Sequence, residues 1–381
     1  MPVAATGQVN KAHERRENRV KRVALVQVGY GVVGGAVISQ VLEQRAAWRE
    51  RLGLDVRIAA VSGRSGAVAM ESDEEIPTET LQNLTRKNGA HQSSTGMPLV
   101  NIVEQVTNAD AVIVVDAAAG EGTTDCLVDC LERGGGAVLS NKAPISLPAS
   151  DPRTGKLWAE AGSGGRLRYE ATCGAGLPVI STMRTLLDTG DEVIEISGAL
   201  SGTLGAIFSD VAQKTPFSEA VERAKDNGYT EPDPRDDLSG LDVARKALIL
   251  ARTTGRMVDL DVVGVQSLVP ASLLDVDIET FMENLDTSDN EIARMAEQAA
   301  SHRSSLKYIA SLREDGSISV GLKAVPRSTV LGALQGPENI VSIRTHRYDE
   351  YPTVISGPGA GADVTAAGML GDVLALAHDM C

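Results

Sequence analysis

The hydrophobic positions up to residue 145 fall into short runs that predict strands separated by helices. The predicted strands are Lys21–Val28, Asp55–Val61, Ala111–Val115 and Ala137–Ser140, and the predicted helices run from Gly34 to about Arg45, over Leu99–Val106 and over Asp125–Arg133. The polar sequence of residues 63–96 predicts loops and one short helix. Because strands that alternate with helices form parallel sheets with crossover helices, this part of the chain is predicted to be an open α/β domain.

After Pro148, strands and helices come in separate runs, which favours an α+β domain. Strands are predicted over Leu167–Ala171, Glu192–Ala199, Val258–Val265, Leu306–Leu312 and Ser317–Val325, and helices over Val179–Leu187, Ser218–Asn227 and Leu238–Thr253. A glycine turn at Gly357–Gly361 precedes an apolar helix that ends at His378, and residues 268–304 carry no pattern that assigns an element. The predicted boundaries are a flexible segment over 1–20, a first domain over 21–150 and a second domain over 151–356.

Hydrophobic residues make up 43% and charged residues 23% of the chain, the balance of a folded globular protein. The 36 basic and 51 acidic residues give a net charge of −15. This charge argues against nucleic acid and anionic membranes as partners, since both attract basic surfaces. No apolar run approaches the ~20 residues of a membrane helix, and residues 1–20 lack the apolar core of a secretory signal. We therefore expect a cytoplasmic protein, with import into an organelle left open.

The four cysteines are too few and too scattered for a disulfide framework. Cys126 and Cys130 lie one helical turn apart in an apolar stretch, which indicates buried free thiols. A zinc site would need further Cys or His residues nearby, so we expect none here.

A glycine-rich motif directly follows the first predicted strand. Gly29, Gly31 and Gly34 form G-x-G-x-x-G between that strand and a helix. In this context the first glycine makes a tight turn, the second lets the backbone approach a pyrophosphate, and the third allows close packing of helix and strand. The motif predicts dinucleotide binding in a Rossmann-like doubly wound sheet, and the alternative is a purely structural turn.

The end of the second predicted strand bears on the choice of cofactor. An acidic residue there would bind the ribose of NAD, but the strand ends in Val61-Ser62-Gly63-Arg64-Ser65. Because a guanidinium binds phosphate bidentately, Arg64 favours NADP over NAD, unless it is only a solvated loop residue. Lys142 follows a strand at the same edge of the sheet, where it could reach a substrate carbonyl or be an exposed loop lysine.

The densest cluster of acidic residues lies between Gly228 and Lys246, where two prolines stiffen a loop that leads into a helix. Asp242 and Lys246 are four residues apart and therefore share one face of that helix. The cluster predicts an anionic pocket for a substrate ammonium group, with one lysine kept among the acids. The alternative is helix capping by Asp236 and Asp237 together with an exposed ion pair.

Taken together, these motifs resemble the homoserine dehydrogenase family. The resemblance rests on Gly29–Gly34, Asn141-Lys142, Tyr169–Pro178, Ser201–Leu204, Gly228–Lys246 and Gly357–Gly368, which keep the family's order over nearly the whole chain. The stretch GYTEPDPRDDLSGLDVARK is by itself highly specific. We expect the short, single-function form of the family, without an aspartokinase portion or an ACT domain.

The resemblance implies the reversible, NADPH-dependent reduction of L-aspartate 4-semialdehyde to L-homoserine, in the branch toward threonine and methionine. It also implies a homodimer and a first domain that residues 357–381 complete. Two lysines would be catalytic: Lys246 as proton donor and Lys142 near the nicotinamide. Substrate contacts would come from Glu231 and Asp242, which hold the amino group, and from Gly202, Thr203 and Tyr229.

The same resemblance assigns the remaining site residues. Cofactor contacts fall on Gly29, Gly31, Val32, Val33, Gly34, Arg64, Ala118, Lys142 and Gly361. A monovalent cation, taken to be Na⁺, falls on Glu170, Cys173, Ala175 and Leu177, largely through backbone carbonyls. One departure is Ala117–Ala119, which stands where the family usually carries Thr or Ser against the cofactor.

Two other functions remain open at this point. One is a related NADP-dependent dehydrogenase that acts on another amino-acid aldehyde. The other is a catalytically silent NADP-binding regulatory protein. Against the silent protein stands the charged set Lys142, Lys246, Glu231 and Asp242, since such a protein has no physical need for buried charge.

Overall fold

A computed structural model of the chain describes residues 19–63, 66–69, 76–86, 103, 106 and 108–381. The chain divides into two compact units. The first unit combines residues up to Asn141 with Gly164–Arg168 and Met369–Cys381, and the second combines Lys142–Ser163 with Tyr169–Gly368. Among the described residues, we find no helix with the length and apolarity needed to cross a membrane.

The first unit is built on a six-stranded sheet. Its strands are β1 (Lys21–Val28), β2 (Leu54–Gly63), β3 (Gly66–Ala69), β4 (Ala111–Asp116), β5 (Gly136–Leu139) and β6 (Leu167–Arg168), and its helices include α1 (Val32–Leu52), α2 (Thr78–Arg86) and α3 (Thr124–Glu132). The strand order is β3-β2-β1-β4-β5-β6, with every neighbouring pair parallel except β2–β3.

The register of this sheet brings three strand ends to one edge. Val28 of β1 lies between Ser62 of β2 and Asp116 of β4. The loops that follow these strands, including the glycine motif, therefore begin side by side, as expected at the carboxyl edge of a doubly wound sheet. All four residues of β5 are buried, which is typical of a parallel strand covered on both faces.

The predicted α/β organisation of this unit is confirmed, with local corrections. The first helix continues to Leu52, beyond the predicted Arg45, and the antiparallel strand β3 was not predicted. The predicted strand over Leu167–Ala171 ends at Arg168, because a 3₁₀ helix follows over Glu170–Thr172. Most of the predicted helix over Leu99–Val106 lies outside the described residues.

The second unit is built on a mixed six-stranded sheet. Its strands are β7 (Val193–Ala199), β8 (Gly264–Val265), β9 (Ser304–Arg313), β10 (Ile318–Pro326), β11 (Glu338–Thr345) and β12 (Thr353–Pro358). The order is β12-β11-β7-β9-β10-β8, antiparallel throughout except for the pair β8–β10.

The remaining helices follow in chain order. They are α4 (Pro152–Ala159), α5 (Val179–Asp188), α6 (Gly202–Val211), α7 (Phe217–Asp226), α8 (Pro234–Leu238), α9 (Leu241–Thr253), α10 (Ile278–Glu283), α11 (Asp289–Ser301), α12 (Val330–Ala333) and α13 (Ala362–Met380). Short 3₁₀ helices cover Pro144–Ser146, Leu260–Val262, Ala271–Leu273 and Leu285–Ser288. Helix α13 belongs to the second unit up to Gly368 and to the first unit from Met369 onward.

The predicted α+β organisation is confirmed, but two local predictions fail. The strand over Val258–Val265 is wrong, since only Gly264 and Val265 pair with a sheet. The single helix over Leu238–Thr253 is two helices, because Gly240 takes a left-handed conformation (φ +74°) between α8 and α9. The structure also adds α4, α6, β11 and β12, and it places α10 and α11 in residues 268–304.

Helix α9 is the central helix of the second unit. From Ala247 to Ala251 every residue is fully buried, so the helix is apolar on all sides over this stretch. Its first turn instead carries Asp242, and the next turn carries Lys246. The buried body of α9 thus holds these two charged side chains in fixed positions.

Candidate functional site

The structure gives a different role to each of the three glycines of the motif. Gly29 takes φ +81°, and a Cβ there would lie 2.7 Å from the backbone of Ala117. A Cβ on Gly34 would lie 2.0 Å from the carbonyl oxygen of Gly29, so the loop closes only over a glycine. A Cβ on Gly31 would meet nothing within 4 Å. Gly31 therefore faces open space, which is the arrangement that a phosphate group needs for close approach.

The start of α1 fits an anionic group as well. Gly31 is the N-cap residue and has no side chain with which to cap the helix, so the first backbone N–H groups have no side-chain acceptor. The next residue, Val32, is 77% exposed, while Val33 is half-buried. A helix N-terminus without a side-chain cap, beside an open glycine, has the arrangement that can take a pyrophosphate.

Gln27 forms the floor of the glycine loop and is 1% exposed. Its Nε2 atom donates a 2.8 Å hydrogen bond to the carbonyl of Gly29, which holds the tight turn. Its Oε1 atom is buried and has no partner among the described residues. The residues of this loop therefore fit a dinucleotide, and one buried acceptor remains beneath it.

A buried carboxylate organises the neighbouring loop, and the sequence analysis missed it. Asp116, at the end of β4, is fully buried and accepts hydrogen bonds from Thr123 Oγ1 (2.6 Å), Asn141 Nδ2 (3.1 Å) and the Ala118 N–H (3.0 Å). Burial raises the pKa of Asp116, and these hydrogen bonds only partly offset the rise. An acid at the carboxyl end of a central strand was the signal that could have identified it.

The Asp116 contacts change the expectation for Ala118. Its backbone N–H, which could have replaced the missing hydroxyl of Ala117–Ala119 toward a cofactor, is already bonded to Asp116. Arg64, the residue predicted to select NADP, lies outside the described residues.

In the second unit, two lysines converge on one carboxylate. The Nζ atom of Lys246 lies 2.8 Å from Oδ2 of Asp242, and the Nζ atom of Lys142 lies 3.2 Å from Oδ1. Lys246 also donates a 2.7 Å hydrogen bond to the carbonyl of Leu200. The spacing of four residues between Asp242 and Lys246 thus gives the predicted contact. Lys246 is only 8% exposed while the Asp242 side chain is 47% exposed, so the pair differs from the exposed pair of the alternative interpretation at its lysine end only.

The charges of this cluster keep the carboxylate ionised. Burial by itself would raise the pKa of Asp242, but the positive charges of Lys246 and Lys142 outweigh it and lower the pKa well below its usual range. An ammonium group has three donors, and two of those on Lys246 go to Leu200 and Asp242. The third is left for a further acceptor.

The loop before α8 joins the predicted substrate residues. Thr203, at the start of α6, donates a 2.6 Å hydrogen bond from its hydroxyl to the carbonyl of Tyr229. The N–H of Glu231 donates to Asp237 Oδ2 at 2.8 Å, so Asp237 fixes the loop that presents the exposed Glu231 side chain. Burial raises the pKa of Asp237. Gly202, which precedes Thr203, starts α6 against Pro337, whose carbonyl a Cβ would meet at 3.0 Å.

The capping alternative for this loop is wrong in its residues. The N-cap of α8 is Asp233, whose carboxylate accepts from the Arg235 N–H, and not Asp236 or Asp237. Helix α6 has its own cap, Ser201, which accepts from the Leu204 N–H at 3.2 Å. Asp233 therefore caps α8, while Asp237 holds the loop through the Glu231 N–H. The sequence analysis did not distinguish Asp237 from a helix cap.

The segment assigned to a monovalent cation offers backbone atoms more than side chains. The carboxylate of Glu170 accepts the N–H groups of Ile180 (2.6 Å) and Ser181 (2.9 Å) at the start of α5. Burial raises the pKa of the Cys173 thiol to about 12, so it is not a thiolate ligand near neutral pH. Ala175 takes a left-handed conformation (φ +54°), and the Leu177 carbonyl accepts the Val179 N–H. Within the described residues, no group of three or more His, Cys, Asp or Glu side chains could hold a metal.

Gly361 has φ +121° and leads into α13, where its carbonyl accepts the N–H and the hydroxyl of Thr365. A side chain at this backbone conformation would be strained. The predicted turn before the closing helix is therefore present, with its last glycine at the helix start.

Comparison with known proteins covers both units of the chain. The family model described as "Homoserine dehydrogenase, NAD binding domain" matches residues 29–169, and the model described as "Homoserine dehydrogenase" matches residues 178–374. A homoserine dehydrogenase of Saccharomyces cerevisiae is 37% identical over 94% of this chain and 99% of its own length. The chain also matches a chloroplastic bifunctional aspartokinase/homoserine dehydrogenase of Arabidopsis thaliana at 37% identity, and it spans 38% of the length of that relative.

Solved structures agree on the fold. A crystal structure of a Candida auris protein of unknown function superposes with a TM-score of 0.83 at 32% identity, covering 94% of this chain and 99% of that one. A hyperthermophilic archaeal homoserine dehydrogenase in complex with NADPH gives a TM-score of 0.69 at 22% identity, covering 92% and 96%.

The parallel sheet with its glycine loop and the match over residues 29–169 place the first unit in the class of NAD-binding domains. Within that class, the chain belongs to the homoserine dehydrogenase family.

Proposed function

We propose that this chain catalyses the reversible, NADPH-dependent reduction of L-aspartate 4-semialdehyde to L-homoserine, on the route to threonine and methionine. The observation that carries the proposal is the buried Lys246, which forms an ion pair with Asp242. Lys142 forms a second ion pair with the same carboxylate. Reduction of an aldehyde develops negative charge on its oxygen, and a fixed ammonium group both stabilises and protonates that oxygen. A dinucleotide at the glycine loop supplies the hydride when bound.

In this proposal the substrate is held at both ends. Asp242, which is ionised at neutral pH, and the exposed Glu231 carboxylate bind the substrate ammonium group. Thr203 and Tyr229, joined by their hydrogen bond, and Gly202 line the pocket. Lys246 donates its proton to the substrate oxygen, while Lys142 adds positive charge on the other side of Asp242. Asp242 thereby connects substrate binding to the position of the proton donor.

For the cofactor, we propose NADP over NAD, with Arg64 as the residue that selects the 2′-phosphate. Gly29, Gly31, Val32, Val33 and Gly34 would hold the pyrophosphate, and Ala118, Lys142 and Gly361 would give further contacts. Substitution of Arg64→Ala should raise the KM for NADP at least tenfold and leave the KM for NAD unchanged. An unchanged ratio of the two constants would remove Arg64 from this role.

We further propose a monovalent cation, Na⁺, held mainly by backbone carbonyls around Glu170, Cys173, Ala175 and Leu177. The support is the chemistry of the segment: its buried carboxylate is bonded to helix N–H groups and its thiol is neutral, which leaves oxygen ligands of the main chain. Melting temperature measured in matched NaCl and choline chloride tests this, and equal values would count against it.

A homodimer is also proposed, and light scattering at micromolar concentration tests it.

The decisive experiment follows the nicotinamide absorbance of the full chain given L-homoserine with NADP and then with NAD. We expect reduction that requires homoserine and is faster with NADP. Reduction with another amino-acid alcohol but not homoserine would indicate the related dehydrogenase. No reduction, together with NADP binding, would indicate the silent regulatory protein.

A further inference from the structure

The second unit contains a polar cavity that the proposed reaction does not use. It has a volume of about 360 Å³ and lies between β9, α6 and the chain around α12. Its polar lining residues include Lys307, Arg327, Ser209, Ser305, Gln213 and Gln335. None of the described residues that line it is acidic, so the cavity has positive charge and hydrogen-bond donors but no anion.

Lys307 is the unusual member of this lining. It is 3% exposed, and its Nζ atom donates a 2.6 Å hydrogen bond to the backbone carbonyl of Leu334. An ammonium group has three donors, and a buried charge is costly unless an opposite charge or several hydrogen bonds compensate it. Burial and the neighbouring Arg327 both lower the pKa of Lys307, which is the direction that an uncompensated cation shows.

A second, apolar cleft of about 390 Å³ adjoins the polar cavity. Ala212, Ser305 and Arg327 belong to the walls of both. The cleft lies between α7, α11 and the start of β9, and its apolar lining includes Val211, Phe217, Ile292, Ala293, Ala296 and Leu306. The shared residues place a cationic cavity directly beside an apolar cleft, and we treat these two adjoining spaces as one pocket.

The acidic residues of the cleft do not compensate Lys307. Asp289 and Glu297 line the apolar cleft but not the polar cavity. The carboxylate of Asp289 already accepts the N–H and the hydroxyl of Ser218, both at 2.7 Å. The positive end of the pocket therefore stays without a counter-ion inside the described part of the chain.

We propose that this pocket binds a small aliphatic carboxylate, with its carboxylate against Lys307 and Arg327 and its alkyl chain between α7 and α11. A carboxylate would supply the missing charge and accept the remaining lysine donors, and charge-assisted hydrogen bonds of this kind are the strong ones. An alkyl chain fits because binding pockets combine an apolar lining with a few placed polar groups. A cationic ligand would face like charge at Lys307, and a purely polar anion would leave the cleft unfilled.

The test measures binding of sodium hexanoate to the full chain by isothermal titration calorimetry. We expect saturable binding of one hexanoate per chain, with hexan-1-ol and sodium acetate each at least tenfold weaker, because each lacks one half of the recognition. Lys307→Met should weaken hexanoate at least tenfold. The matched control is Lys323→Met, since Lys323 lies directly opposite Lys307 on β10 but donates to Ser311 and Ser319 and does not line the pocket.

A second variant guards against misfolding of Lys307→Met. Ala296 lines the cleft from α11 and is only half-buried, so Ala296→Phe should fill the cleft, preserve the fold and abolish hexanoate binding. Equal affinity for hexanoate and hexan-1-ol would overturn the proposal in favour of a simple apolar patch. The absence of saturable hexanoate binding at millimolar concentration, or equal effects of Lys307→Met and Lys323→Met, would overturn it as well. Because the readout is binding, the result is independent of the proposed reaction.

Discussion

At the scale of single residues, the environment of Lys246 sets it apart from the other lysines of the chain's helices. Its Nζ atom is held by a backbone carbonyl and by a carboxylate that a second lysine shares. These contacts fix the position of the ammonium group, so its remaining N–H donor has one direction. A fixed proton donor is what aldehyde reduction needs, because the developing alkoxide must be met without reorganisation.

Substitution of Lys246→Met should therefore lower kcat by about 10²–10⁴-fold, the usual contribution of a positioned acid or base. The Kd for NADPH, measured by the fluorescence of this reduced cofactor, should change less than twofold. The exposed Lys225 of α7 provides the control, and Lys225→Met should leave kcat unchanged. Near-normal turnover of the Lys246 variant would remove it from the chemistry.

The two acids proposed for the substrate ammonium group should behave differently from Lys246. Glu231→Gln should raise the KM for homoserine at least tenfold and leave the KM for NADP unchanged, since only a charge on the substrate side is lost. The control is Glu222→Gln, an exposed acid on α7. Equal changes in both KM values would contradict the assignment of Glu231. Asp242 is a less clean test, because its removal also frees two lysines.

At the scale of elements, the three glycines at the junction between β1 and α1 combine a requirement of folding with the proposed binding of the cofactor. Gly34 is a folding requirement, since its Cβ would overlap the Gly29 carbonyl. Gly31 is not, since a Cβ there has open space. The two positions can therefore be separated by experiment.

We expect Gly31→Ala to keep the melting temperature within about 2 °C, because a solvent-facing substitution changes stability little. Its Kd for NADPH should rise about tenfold or more, since the added methyl would occupy the space that we propose for a phosphate. Gly34→Ala should instead lower the melting temperature by several degrees. Thermal unfolding with and without NADPH measures both. Loss of stability in Gly31→Ala, or none in Gly34→Ala, would contradict the separation.

At the scale of the whole molecule, the four cysteines report on packing in both units. Cys126, Cys130 and Cys173 are buried, and burial raises their pKa values to about 12, about 11 and about 12. At pH 8 less than about one thiol in a thousand would then be ionised at each of these positions. Cys381 is exposed.

A thiol titration at pH 8 should consequently find one fast-reacting thiol per native chain and four in denaturant. Cys381→Ser should remove the fast phase. Raising the pH from 7 to 9 should not make the three buried thiols react, because their pKa values lie above that window. Two or more fast thiols in the native chain would mean that the packing around a buried cysteine is looser than described.

The C-terminal part of α13 completes the first unit. Met369, Val373 and Leu376 are fully buried, and Arg168 pairs with Asp379 at 2.9 Å. Leu376→Ala should lower the free energy of unfolding by about 2–5 kcal/mol, the range for a buried leucine. Asp379→Asn, in an exposed pair, should change it by less than about 1 kcal/mol. Urea denaturation measures both, and equal small effects would contradict the burial.

Much of the fold could be predicted from local patterns. Both ends of the strand Lys21–Val28 were predicted correctly, and helix α5 was predicted to within one residue. These predictions succeed because a Gly or Pro beside an apolar run marks the end of the element. Residues 268–304 could not be assigned, since α10 and α11 are short or weakly apolar helices whose existence depends on packing against other elements. The two-residue strand β8 exists only because β10 is beside it.

By itself, the sequence determined the family, the two domain types and the charged residues of the site. It could do so because the spacing of glycines and the spacing of acids and lysines are local features that can be read along the chain. Tertiary structure alone decided that Lys142 meets Asp242 across 100 residues of chain and that Asp116 organises the loop after β4. Tertiary structure also decided that Lys307 is buried in a cavity with no acidic residue among its described lining. Long-range pairing and burial depend on where separate elements pack, and no pattern within a single segment records that.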